Sequence, residues 1–255
     1  MSIKVITSIY KDEHKLNKWI DKIKKANVDY IVYKKNDNLK IGEKKILTDN
    51  LVEIPNKGRC DYAFLCHIID NYDNLARTNV FVKCNWYENN IPFWDLLLNC
   101  HNYDYMQVGT HYEVIDWDEL DIESGLCERK QKWLSEIFPD NTKLGKVAVW
   151  GHGPSFSVSR ELIHRHKKEV YENMLNKFHE DSGSFSLDYE KYNYRTYNDM
   201  YVDVGITYHN DLLRFYRILF THDLPKDNKY KILTHEESMK FNKKEKPKKI
   251  KMNFM

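Results

Sequence analysis

The opening of the chain constrains its fold more than any other segment. Ile3–Ile9 is β-branched and apolar, as a buried strand requires. Asp12 and Glu13 follow, and then Leu16, Trp19, Ile20 and Ile23 recur at helical spacing. Asp29–Tyr33 reads as a second strand, with polar Lys34–Asn38 at its end. A strand, an amphipathic helix and a strand in this order specify a parallel pair joined by a right-handed crossover. The expected class is α/β, with a mostly parallel central sheet flanked by helices.

Further strands are expected at Leu51–Ile54, which Pro55 stops, and at Asn79–Cys84. Between them Asn56–Arg59 reads as a turn and Asp61–Tyr72 as a helix, with Ala63, Phe64, His67, Ile68 and Ile69 on or near one face. His67, mid-helix among apolar residues, reads as a hydrogen-bonded core histidine. Tyr105–Val108, Tyr112–Ile115 and Lys146–Trp150 are strand-like, and Arg129–Phe138 is helical up to Pro139. Ser155–Ser159 leads into a long helical pattern over Arg160–His179, on which His164 and His166 face apart. Tyr208–Phe220 gives a last helix. In open α/β sheets ligands gather at the carboxyl ends of strands, here Ser8–Asp12, Lys34–Asp37 and Asn85–Glu88.

At 255 residues the chain can bury a core without disulfides or metal. Its five cysteines are odd in number and lack close pairs, as expected of free, mostly buried thiols in a reducing compartment. No apolar run approaches the roughly 18 residues of a membrane span, and the start lacks the pattern of a secretory signal; the expected location is cytoplasmic. Lys226–Lys251 carries ten lysines against four acids, a net +6 in a chain of net +2, which leaves −4 for the remainder. Such a balance does not suit a nucleic-acid binder, although the basic tail could touch anionic lipid or an acidic partner. The expected division is a domain over 1–223, comprising a nucleotide-binding half (1–90) and an acceptor half (91–223), with a basic extension over 224–255.

Several chemistries lose support by motif. There is no G-x-x-x-x-G-K-[ST] or G-x-G-x-x-G, and no H-E-x-x-H or G-x-S-x-G. Asp116 and Asp118 form a short D-x-D in an acidic stretch, a pattern that can approach Mg²⁺ or Mn²⁺ together with a diphosphate. His152, between two glycines, stands where a ligand can come close to the backbone.

Two segments carry a resemblance. Ile54–Trp86 (IPNKGRCDYAFLCHIIDNYDNLARTNVFVKCNW) resembles a largely uncharacterised microbial, fungal and viral family with P-N-x-G-R, then H-I-(I/V)-x-N-Y-D-x-L, then a short V-F strand. Gly151–Arg160 (GHGPSFSVSR) resembles its F-x-V-S-R element, and His209–Phe220 (HNDLLRFYRILF) its closing helix. That family looks like a divergent relative of the GT-A glycosyltransferases. The resemblance implies transfer of a sugar from a UDP- or GDP-sugar to a glycan acceptor. It implies that Ser8, Tyr10, Asp37, Gly58, Arg59, Asn85 and Glu88 line the donor, and that His152, Ser159 and Arg160 line the acceptor. The base for an inverting reaction would come from Asp203, His209 or Asp211. The strand expected to deliver D-x-D ends instead in Cys84-Asn85-Trp86-Tyr87-Glu88. Either Asn85 and Glu88 help to hold Mn²⁺ or Mg²⁺, with Asp116 and Asp118 as poorer candidates, or Arg and Lys neutralise the diphosphate. The rival expectations are a catalytically silent GT-A-like module that binds glycan or a partner protein, and a phosphodiester or hydrolytic enzyme that uses His152 and the Asp116–Asp118 loop as a metal site.

Overall fold

A computed structural model describes residues 2–10, 13–56, 59–83, 96–97, 99–109, 112–116, 147–151, 155–180, 219–220 and 230–234, for some of them the backbone alone. Strand β1 (Ile3–Ile9), helix α1 (Glu13–Ala26) and strand β2 (Asp29–Asn36) form the expected opening. Lys24 and Lys25 in the last turn of α1 complement its dipole. Asn27 turns the chain into β2 with φ 53°, a left-handed conformation that asparagine tolerates. Strands β3 (Lys45–Thr48) and β4 (Leu51–Pro55) follow, then helix α2 (Arg59–Asp70) and strand β5 (Thr78–Lys83). Beyond these come β6 (Tyr105–Gly109), β7 (Tyr112–Asp116), β8 (Val147–Gly151) and β9 (Ser155–Ser159). Helices α3 (Arg160–Ile163) and α4 (Lys168–Glu180) and strand β10 (Tyr230–Thr234) complete the described elements.

Eight strands make one sheet in the order β10-β6-β9-β5-β1-β2-β4-β3, and β7 pairs with β8 separately. The sheet is mixed. The β1–β2, β1–β5, β2–β4 and β6–β10 pairings are parallel, whereas β3–β4, β5–β9 and β6–β9 are antiparallel. From β1 the chain builds outward through β2 to β4 on one side, then returns to add β5 on the other. Strand order therefore reverses between β1 and β5, which makes their carboxyl ends a topological switch point.

Helices cover both faces. On one, α1 and the segment around Leu96, Leu97 and Cys100 bury Val5, Val32, Val80 and Val82. On the other, α2, α3, α4 and Phe220 close over Ile6, Tyr33, Phe81, Tyr105 and Phe156. The Phe81 and Phe156 rings stack at 4.9 Å, and Phe64 meets Phe81 at 5.1 Å. Truncating Phe156 to Ala would cost about 3–5 kcal/mol.

Four local features depart from the sequence reading. Strand β3 was not expected; all four of its residues are exposed, so no alternation marks it. Arg59, expected in a turn, is the first residue of α2. The helix expected over Arg160–His179 is broken at His164–Lys167. There the His164 ring packs on Tyr72 at 4.6 Å and Nε2 of His166 is 3.1 Å from the Leu219 carbonyl, contacts that lie outside any helical repeat. Strand β10 falls within the segment expected as a basic extension and pairs with β6. Leu219 and Phe220 lie in a turn; the rest of the expected closing helix, and the helix at 129–138, lie outside the described residues.

Candidate functional site

At the carboxyl rim of the parallel strands, polar side chains link three strand ends. The Asn38 amide donates to Oδ1 of Asn36 at 2.9 Å, a local turn that ends β2 and leaves Asp37 exposed at its tip. The Tyr10 hydroxyl, just past β1, donates to Oδ2 of Asp37 at 2.9 Å. The Asn56 side-chain amide, just past β4, donates to Oδ1 of the same carboxylate at 2.8 Å. The Asn56 backbone amide also reaches the Asn36 carbonyl at 3.2 Å, prolonging the β2–β4 ladder by one step. Asp37 is thereby clamped between the ends of β1 and β4. Asn36 and Lys34 project from the opposite face of β2 and meet Glu53 at 3.0 Å and 3.7 Å.

Helix α2 begins three residues after Asn56, at Arg59, and the leading N–H groups of a helix have no intrahelical partners and favour an anion. Beneath its first turn lies Lys35, 6% exposed, with Nζ 4.9 Å from the centre of the Tyr62 ring. Burial pulls the Lys35 ammonium down to about 8, against the opposing influence of Cys66, Cys60 and Asp61. Burial pushes the Cys66 thiol up to about 12 and raises the Tyr62 phenol well above its ordinary range. The Cys66 thiol and the Tyr62 phenol therefore stay protonated at neutral pH. Cys60, Cys66 and Cys100 are buried thiols outside any disulfide, as expected; Cys84 and Cys127 lie outside the described residues.

His67, near the far end of α2, is fully buried. Its Nδ1 lies 3.1 Å from the Tyr33 hydroxyl and 3.3 Å from the Asn71 amide. Burial lowers it to about 3, so the ring is neutral. This is the core histidine that the sequence implied.

Among the expected donor residues, Tyr10 and Asp37 meet directly, and Arg59 is the first residue of α2. Ser8 is buried on the α2 face of β1, in register with Tyr33 and Lys83. The expected acceptor pair does not join this group. Strand β9 runs antiparallel to β5, so Ser159 is paired with Thr78 at the opposite rim of the sheet. There the Ser159 hydroxyl caps α3, accepting from the Leu162 amide at 3.1 Å, and Arg160 pairs with Glu161 at 3.6 Å. Gly58, Asn85, Glu88, Asp118, His152, Asp203, His209 and Asp211 lie outside the described residues, and Asp116 ends β7 in the separate two-stranded sheet. Asn56 and Lys35 were missed as site residues. The alternation that places Tyr33 on one face of β2 also places Lys35 there, and that signal was available.

Among the described residues no three His, Cys, Asp or Glu side chains group as cation ligands, and no helix is long and apolar enough to cross a membrane. Asp37 already has a donor on each oxygen. No metal ligand is assigned at this rim.

Residues 5–108, which run from β1 to β6, match a family described as "Protein of unknown function (DUF3431)". No curated protein matches the chain.

Proposed function

We propose that the protein is a nucleotide-sugar-dependent glycosyltransferase of GT-A-like fold, and that the rim formed by Tyr10, Asp37, Asn56 and the start of α2 receives the donor. The observation that carries this reading is the clamped Asp37 at the tip of β2, next to the switch point and the amino end of a helix. A carboxylate fixed by two donors keeps lone pairs turned outward to accept from a ribose diol or a base N–H. The positive end of the α2 dipole suits the pyrophosphate. One recognises the nucleoside, the other the leaving group.

Glycosyl transfer builds negative charge on the departing diphosphate and positive charge on the anomeric carbon. Stabilising the former by preoriented N–H groups and cations lowers the barrier. Arg59, the first residue of α2, would supply a guanidinium to that charge. A divalent cation, where bound, would add Lewis-acid neutralisation of the diphosphate; Asn85 and Glu88 are its candidates. The catalytic base is sought among Asp203, His209 and Asp211, with His152 as an acceptor-side group. Ser159 and Arg160 are left out because both are engaged at the other rim.

Calorimetric titration with UDP, GDP and their sugars, with and without Mn²⁺, tests the reading. Arg59→Ala and Asp37→Ala should each weaken the preferred nucleotide by about 1.5–3 kcal/mol, since each loses a charge-assisted partner. Unaltered affinity in both would remove the donor from this rim. Donor binding with no hydrolysis or transfer would instead leave a glycan- or partner-binding module.

A further inference from the structure

Strand β3 ends the order of the eight-stranded sheet, with β4 as its one neighbour. An edge of this kind presents unpaired N–H and C=O groups, and chains that stay monomeric blunt it with charged side chains or cover it. The two central residues of β3 do neither. Ile46 is 76% exposed and Leu47 is 39% exposed. Among the described residues only Tyr10 is a further exposed large apolar or aromatic side chain, and it is bonded to Asp37 at the carboxyl rim. Every residue from 43 to 50 is exposed. Ile46 is also the register partner of Val52, a core residue on the α2 face. The apolar row of that face therefore runs one side chain past its last buried member, into water.

The charges have a direction along the strand. Lys44 and Lys45 precede the apolar pair, and Asp49, in the turn to β4, follows Thr48. Lys44 meets Asp70 of α2. Lys45 and Asp49 take part in no ion pair among the described residues. A strand that is basic at its start and acidic at its end is complementary to its own copy laid antiparallel, because opposite charges then face each other across the pair. A parallel copy would set like charges side by side. A two-fold axis normal to the sheet makes the antiparallel contact isologous. It also keeps the α2 faces of both copies on one side, so that the Ile46 of each copy extends the other's apolar row.

We propose that β3 is a self-association surface: two copies of this chain pair antiparallel through it, joining two eight-stranded sheets, covering Ile46 and Leu47, and bringing Lys45 of each copy beside Asp49 of the other. The strand is four residues long and carries an irregularity between Ile46 and Thr48. The contact therefore falls below the roughly 1,200 Å² of a standard interface, and the dimer is a reversible one.

Sedimentation velocity of the full chain, from about 5 µM to about 0.5 mM, reads the association. The wild type should show a dimer that grows with concentration, and its amides at 45–48 should exchange hydrogen more slowly as the dimer forms. Ile46→Lys, at a position that packs little in the monomer, should weaken association more than about tenfold. Lys45→Glu makes the strand acidic at both ends and Asp49→Lys makes it basic at both, so each should self-associate about tenfold more weakly than the wild type. Mixed in equal amounts, these two variants should form a heterodimer of about wild-type strength, a rescue that a purely structural role for either residue would not produce. Thermal unfolding establishes that each variant is folded, Asp49 being a turn residue. A wild type that stays monomeric throughout overturns the proposal and leaves the edge to a strand of another protein. A dimer untouched by Ile46→Lys, or a mixture no tighter than its components, overturns it as well.

Discussion

The two ends of α2 each bury a group that can carry a proton, and they treat it oppositely. At the amino end Lys35 is held at about 8 and stays mainly charged at neutral pH, with Asp61 and the Tyr62 ring around it. At the carboxyl end His67 is driven to about 3 and stays neutral, with Tyr33 and Asn71 on its Nδ1. Both are buried between the same face of the sheet and α2, Lys35 from β2 and His67 from the helix. The difference lies in company: Lys35 has a carboxylate and a ring face near it that favour its cation, whereas His67 has aromatic rings, neutral donors and the opposing charge of Lys4. A neutral ring within the core can only hold the core together.

The comparison breaks first at Lys35. The gap between about 8 and the ordinary 10.5 already includes the attraction of Asp61, so the buried ammonium is a net cost to the fold. Between those values the unfolded chain holds the proton and the folded chain does not, so stability rises with pH across that window. Below about 8 both states are protonated and the full cost, about 3 kcal/mol, is present. Lys35→Met should therefore raise stability to urea at neutral pH by up to about 3 kcal/mol, and the gain should shrink toward pH 10.5. A loss of stability would mean that the ammonium belongs to the structure.

The second test concerns His67. Its folded value lies below the ordinary 6.5, so the unfolded chain takes up a proton first as pH falls. Stability is complete above about 6.5 and is lost progressively down to about 3. Between pH 7 and about pH 4.5 this residue alone should remove roughly 2–3 kcal/mol, read as a drop in the urea midpoint. His67→Gln keeps a polar partner for Tyr33 but has no proton to gain, so its acid slope should flatten. Equal slopes in both proteins would mean that His67 does not govern acid unfolding.

How much of this could be read in advance follows from which forces are local. The β1–α1–β2 opening was legible because Ile3–Ile9 is a continuous apolar run and Leu16, Trp19 and Ile23 keep a helical period. His67 was legible because its neighbours in α2 are apolar. The location of Asp37 at the tip of β2 followed from where the apolar residues stop. Strand β3 was hidden because its pairing is backbone hydrogen bonding to β4, with no buried face to leave a pattern. The break after α3 was hidden because it is made by Tyr72 and Leu219, both remote in sequence. The direction of β9 is set by its neighbours β5 and β6, so Ser159 and Arg160 read as rim residues but belong to the other rim. Lys35 went unnoticed as a site residue because a lysine near a strand end ordinarily marks the way out to solvent.

The smallest effect sharpens the carboxyl-end half of the comparison. The Tyr33 hydroxyl lies 3.1 Å from Nδ1 of His67, and its own ionisation is suppressed by burial and by Asp70. It therefore acts as a neutral donor throughout the accessible pH range, and Nδ1 accepts, which puts the ring proton on Nε2. Tyr33→Phe removes that donor but leaves the Asn71 amide at 3.3 Å from the same nitrogen. The orphaned acceptor is only partly abandoned, so the loss should be about 1 kcal/mol in a urea titration. The acid slope should persist, because the ring remains buried and neutral. Should Tyr33→Phe instead abolish the slope, the hydroxyl and not burial would be what keeps His67 unprotonated, and the contrast between the two ends of α2 would rest on hydrogen bonding instead of desolvation.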